Sequence, residues 1–203
     1  FPYTTLFRSQ PLQEYVLKNL SFKLQGKKTY ALVGSSGGGK STIAKLISGF
    51  YKINEGEILI GGKNISSYSQ TALMKNIAFV FQNAKLFKTS IFENVKMGDE
   101  NASDSRVMEA LKQARCNDIV DKFKDREHTL IGSKGVHLSG GEIQRIAIAR
   151  AILKNANIII LDEASAAADP ENEYEIQQAF SNLMKDKTRS EEHTSELQSP
   201  TSI

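Results

Sequence analysis

With 203 residues, 40% hydrophobic and 24% charged, the chain is long enough for one α/β domain with a proper core. Its 26 Lys and Arg stand against 23 Asp and Glu, a net charge of +3 with the basic residues scattered, which excludes a nucleic-acid-binding stripe. The single cysteine, Cys116, excludes an internal disulfide and fits a reducing compartment; no apolar run approaches the roughly 20 residues that span a bilayer, so any membrane part would lie elsewhere.

In chain order, Val16 to Leu24 alternates apolar residues at Val16, Leu20, Phe22 and Leu24 and reads as a short strand. Lys28 to Val33 reads as a second strand that ends at a glycine-rich turn. Lys40 to Phe50 has Ile43, Ala44, Leu46 and Ile47 at helical spacing. Glu57 to Ile60, followed by Gly61-Gly62, predicts a strand and hairpin, and Ile77 to Phe81 a buried strand. Ser103 is placed to cap a helix whose face is Val107, Ala110, Leu111 and Ala114, and Asn117 to Phe123 predicts another short helix. Ser139 opens a long helix reaching about Lys154. Asn157 to Leu161 is a β-branched strand of the kind buried on both faces, and Asp169-Pro170 opens a last helix with Tyr174, Ile176, Ala179 and Leu183 on one side. Strands alternate with helices around a helical insert, which predicts an α/β fold.

The two ends lack such patterning. Phe1 to Ser9 and Arg189 to Ile203 resemble translated sequencing-adapter DNA. Codons for the first segment can end in TCCGATCT, whose reverse complement, AGATCGGA, can open the second. Both segments, 1–9 and 189–203, are therefore expected to be non-native, flanking a native stretch of residues 10–188.

Three segments carry chemistry. Gly34-Ser35-Ser36-Gly37-Gly38-Gly39-Lys40-Ser41 matches G-x-x-x-x-G-K-[ST] and sits between a strand and a helix. Glycines let backbone N–H groups curl around phosphate oxygens, and the helix N-terminus, continuing through Thr42, favours negative charge. Lys40 is placed to reach the β- and γ-phosphates and the Ser41 hydroxyl to help hold Mg²⁺. Ile158 to Glu163 brings two carboxylates to the end of an apolar strand: Asp162 for Mg²⁺, directly or through water, and Glu163 as general base toward the attacking water. In Leu138-Ser139-Gly140-Gly141-Glu142, a capping box accounts for Ser139 and Glu142 but not for two glycines in a first helical turn, where they cost stability. Exposed N–H groups around a second phosphate would account for them.

With this last segment, followed by Gln144 and Arg145, the chain resembles the ATP-binding cassette family, whose signature is LSGGE and whose motif order is the same. The resemblance implies a RecA-like phosphate-loop NTPase core with a small antiparallel β part and an inserted helical subdomain at about 83–153. It implies ATP and Mg²⁺ as cofactors. Gln82, in Phe79-Val80-Phe81-Gln82, would sense Mg²⁺ and the lytic water, and Asp169 would be the D-loop aspartate; Ala166 stands where a serine is usual. Thr129 to Gly135 and Leu86 to Val95 are similar to exporter-type cassettes, with Ser133 where an acidic residue is common.

The resemblance also implies partners: a second cassette, identical or not, whose signature completes the site, and a transmembrane domain. No nucleic-acid partner is expected. A histidine ending a strand after the last helix, and an adenine-stacking aromatic ahead of Val16, are not found; His193, Tyr15 and Phe7 are not assigned those roles, and His128 and His137 read as surface residues. Weak ATP binding and poor turnover are therefore expected of this chain. Rival readings are a soluble cassette ATPase of DNA repair or translation, an importer cassette, and a nucleotide-binding module without useful turnover.

Overall fold

A computed structural model describes residues 16–81, 84–132, 135–162, 170–185 and 188–193. The elements are β1 (Thr29–Val33), α1 (Lys40–Ile47), β2 (Leu59–Ile60), β3 (Lys63–Asn64), α2 (Gln70–Asn76), β4 (Ile77–Phe81), α3 (Ile91–Lys96), α4 (Asp104–Gln113), α5 (Asn117–Asp121), α6 (Gly140–Lys154), β5 (Ile158–Asp162), α7 (Pro170–Met184) and β6 (Thr188–His193).

Four strands form a parallel sheet in the order β1-β6-β5-β4, and β2 and β3 form an antiparallel pair. Parallel pairing needs a crossover, and here the crossover from β4 to β5 carries α3 to α6. Because β4 and β5 are in register from Ile77↔Ile158 to Phe81↔Asp162, their C-terminal ends meet at one edge. Val33 pairs with His193 at the same edge, so the loop after β1 opens there too. Crevices at such edges are where open α/β sheets take ligands.

The core is built where the sequence is most apolar. Ile77, Val80, Ile159, Ile160 and Leu161 of β4 and β5 are buried, and Ile146, Ile148, Ala149 and Leu153 of α6 share one core cluster with Val80, Ile159 and Leu161. α6 touches β4, α3, α4 and α7, which is why it lacks a polar face: Gln144 and Arg145 are buried alongside its aliphatic residues. Val107, Ala110 and Leu111 form the buried face of α4 as their spacing predicts, and Ala114, at its C-cap, is buried beside them.

Three expectations are corrected. Val16 to Leu24 forms no strand: Asn19 takes a left-handed φ of 51°, which breaks an extended run, and Val16, Leu20 and Phe22 are exposed. On α7, Tyr174 points to solvent, and Phe180 takes its place in the core with Ile176, Ala179 and Leu183. Most consequentially, the strand expected to be missing after the last helix is present. Thr188–His193, in the adapter-like stretch, lies as β6 between β1 and β5 and ends at His193. The physical reason is that ladder hydrogen bonds are made by backbone, so two strands that each offer a row of N–H and C=O groups accept an extended segment without an apolar pattern. The fringe at 1–15 lies outside the described residues.

Candidate phosphate-binding edge and signature helix

At the sheet edge the loop from Gly34 to Ser41 is held by its own lysine. Lys40 is buried, and its Nζ donates to the main-chain oxygens of Gly34 and Ser35, both at 3.0 Å. Gly38 N–H closes the turn on Ser35 O at 3.0 Å. Gly37 and Gly39 have φ of 77° and 85°, a conformation that glycine alone adopts without strain. At Gly39 there is also no room: a β-carbon would lie 2.7 Å from Leu17 Cδ2. Gly34 and Gly37, by contrast, have nothing within 4 Å of where a β-carbon would sit, so the mouth of the loop is open. Ser41 is exposed and Thr42 half-buried on the first turn of α1.

These residues fit a polyphosphate. An ammonium, a helix N-terminus and a glycine-lined opening share the sheet edge at which β5 ends, and the Ser41 hydroxyl is an oxygen donor of the hard type that Mg²⁺ takes. Among the described residues no group of three or more His, Cys, Asp or Glu is arranged to hold a metal. Gln82, Glu163 and Asp169 lie outside the described residues, as do Ser133 and Lys134.

The signature heads α6 as predicted. Ser139 Oγ accepts from Glu142 N–H at 3.3 Å, and Glu142 Oε2 accepts from Ser139 N–H at 2.7 Å, a complete capping box. Lys122, which no motif singles out, donates to Glu142 Oε1. Burial pushes the Glu142 carboxyl up, but the Lys122 ammonium and the Ser139 N–H outweigh it and hold the group below the usual carboxylate range. Leu138 packs against the core, while Ser139 and Gly140 are exposed.

The two glycines separate in kind. A β-carbon on Gly141 would come within 3.1 Å of Asn172 Cβ on α7, so close helix packing accounts for that glycine. At Gly140 nothing stands within 4 Å, and packing leaves it unexplained. Behind the signature, Arg145 reaches Asp118 on α5 with both terminal nitrogens, at 2.8 and 2.9 Å.

The chain matches the family model described as ABC transporter over residues 17–166. It belongs to the ABC transporter family. Curated relatives agree: it is 47% identical over 174 residues to ABC transporter B family member 4 of Dictyostelium discoideum, covering 86% of this chain and 23% of that protein. It is 44% identical over 183 residues to the ATP-dependent lipid A-core flippase of Pasteurella multocida (strain Pm70), covering 90% of this chain and 31% of the relative. To ABC transporter B family member 14 of Arabidopsis thaliana it is 43% identical over 173 residues, or 85% of this chain and 14% of that protein. The chain thus spans less than a third of the length of these relatives. This ABC cassette is an ATP-binding ATPase domain, and among its described residues no helix is long and apolar enough to cross a membrane.

Proposed function

We propose that this domain binds ATP on the 34–41 loop and hydrolyses it to drive export, as one of two paired cassettes beneath a transmembrane domain at the cytoplasmic face of a membrane. The observation that carries the reading is Lys40: buried, drawn under the loop onto Gly34 O and Ser35 O, and adjacent to an opening without side chains.

In this reading Lys40 exchanges a carbonyl for β- and γ-phosphate oxygens, and the N–H groups of the loop and of the first turn of α1 orient the rest of the polyphosphate. Ser41 and Asp162 would hold Mg²⁺, with Gln82 as its sensor, and the ion would supply positive charge to the triphosphate. Glu163 accepts a proton from the water that attacks phosphorus, and the β–γ bridging oxygen leaves with ADP. Ser139, Gly140 and Gly141 of one cassette close over the ATP held by its partner, and Asp169 would serve as the D-loop aspartate between them. The open space at Gly140 supports this, since packing gives no other reason for a glycine there. The bounds of the cassette proper, 10–188, and of its helical subdomain, about 83–153, belong to the same proposal.

The test is made in the intact protein that carries this domain. Lys40→Ala is expected to lose ATP binding, and Glu163→Gln to keep binding while stalling as an ATP-bound cassette dimer on sizing. ATP affinity unaffected by Lys40→Ala, or full turnover by Glu163→Gln, would overturn the assignment.

A further inference from the structure

Asn94 is wholly buried on α3, and every hydrogen-bonding position of its amide is used. Its Oδ1 accepts from Phe87 N–H at 2.8 Å and from Arg150 at 2.9 Å; its Nδ2 donates to Phe87 O at 3.0 Å and Ser90 O at 2.9 Å. One side chain thus grips both backbone groups of Phe87, as a neighbouring strand would. Arg150, on α6, completes the clamp by donating Nε–H to Asn94 O at 2.7 Å and lying under the exposed Phe87 ring, 5.7 Å from its centroid. Gly98 belongs to the same contact, because a β-carbon there would strike the main-chain oxygen of Arg150.

The placement of this clamp matters. Phe81 ends β4 opposite Asp162, at the phosphate edge, so the chain that continues through 84–90 starts there. That segment is fastened through Asn94 on α3 to α6, the helix headed by Ser139 and Gly140, and is held at Thr89 by the Ile131 N–H at 2.9 Å. A fully satisfied buried amide with a bidentate arginine has one geometry, so the two elements shift together or not at all.

We propose that Asn94 and Arg150 are positioning residues that join segment 84–90 to α6 as one rigid piece, so that occupancy of the phosphate edge sets the place of the signature turn. The proposal rests on the ATP-binding function above and names what transmits its effect.

Hydrogen exchange and steady-state kinetics on the intact protein test it, with a non-hydrolysable ATP analogue and Mg²⁺ as the probe. In the parent, the analogue is expected to change exchange in 84–90 and in the first turns of α6 together. In Asn94→Ala and in Arg150→Lys, which keeps the charge and guards against misfolding of the first variant, only 84–90 responds. KM for ATP then stays within about twofold while kcat falls about tenfold, the mark of a misplaced but still occupied site. A joint response with parental kcat in both variants overturns the proposal. So does a loss of KM and kcat in step with a lowered melting temperature, which would make the clamp a matter of stability alone. If the parent shows no Lys40-dependent ATP binding, the proposed function fails instead; protection of the Phe87 amide by Asn94, read without nucleotide, separates that result from an absent clamp.

Discussion

Arg145 and Asp118 face each other across α6 and α5 through two parallel hydrogen bonds, the guanidinium side chain 2% exposed and the carboxylate 53%. Burial pushes the Asp118 carboxyl up, but Arg145 draws it below its ordinary value. The asymmetry of exposure fixes which half is costlier to lose. Asp118→Ala strands a buried cation and is expected to cost about 3 kcal/mol, whereas Arg145→Met leaves a carboxylate that water can reach and costs about 1–2 kcal/mol. Urea denaturation of the two variants measures the order, and the reverse order would refute the argument.

Acid should loosen the signature turn. Glu142 has a folded pKa below its unfolded one, so it contributes stability above the unfolded value, about 4, and that contribution is lost as pH falls through the depressed folded value. Asp118 and Glu175 are shifted the same way, the latter by Arg115 at 2.6 Å. Melting temperature is expected to be level from neutral pH to about 5 and then to fall, and Glu142→Gln to show a shallower fall from a lower plateau. An unchanged slope in that variant would remove Glu142 from the account.

Gly140 and Gly141 should part under substitution. Gly140→Ala meets open space and gains about 0.5 kcal/mol of helix stability, yet is expected to weaken ATP-dependent pairing of cassettes. Gly141→Val drives its side chain into Asn172 and is expected to cost about 1–2 kcal/mol, part of it recovered by adding Asn172→Ala. Thermal melts and sizing with ATP read the two effects separately.

Cys116 should be inert in the folded protein. Burial pushes its thiol up to about 12, and no part of the residue is exposed. A thiol-specific maleimide is expected to label it only as fast as the α4–α5 region opens, so labelling in urea should follow unfolding. Rapid labelling in native buffer would contradict the packing described.

The sequence revealed most where one residue type has one physical use. The left-handed glycines of the 34–41 loop, the Ser139–Glu142 capping box and the β-branched run of β5 were all legible, because each depends on near neighbours along the chain. The partners of those residues were not. Lys122 for Glu142, Asp118 for Arg145 and Asn172 for Gly141 lie 20, 27 and 31 positions away in sequence, at separations set only by how helices pack. Asn94 was visible as part of an exporter-like run, but nothing local to it announced that its amide would be saturated by Phe87, Ser90 and Arg150. The alternation at Val16 to Leu24 misled because a strand pattern specifies a face, not a neighbour to pair with.

The sheet order has a temporal consequence. Among the described residues β1 is bonded only to β6, so Thr29 pairs with Arg189, 160 positions later in the sequence. Until β6 follows α7 out of the ribosome, the strand that carries the glycine loop would lack its ladder partner. A nascent chain stopped after α7 would possess each residue of that loop and still present it on an unpaired strand.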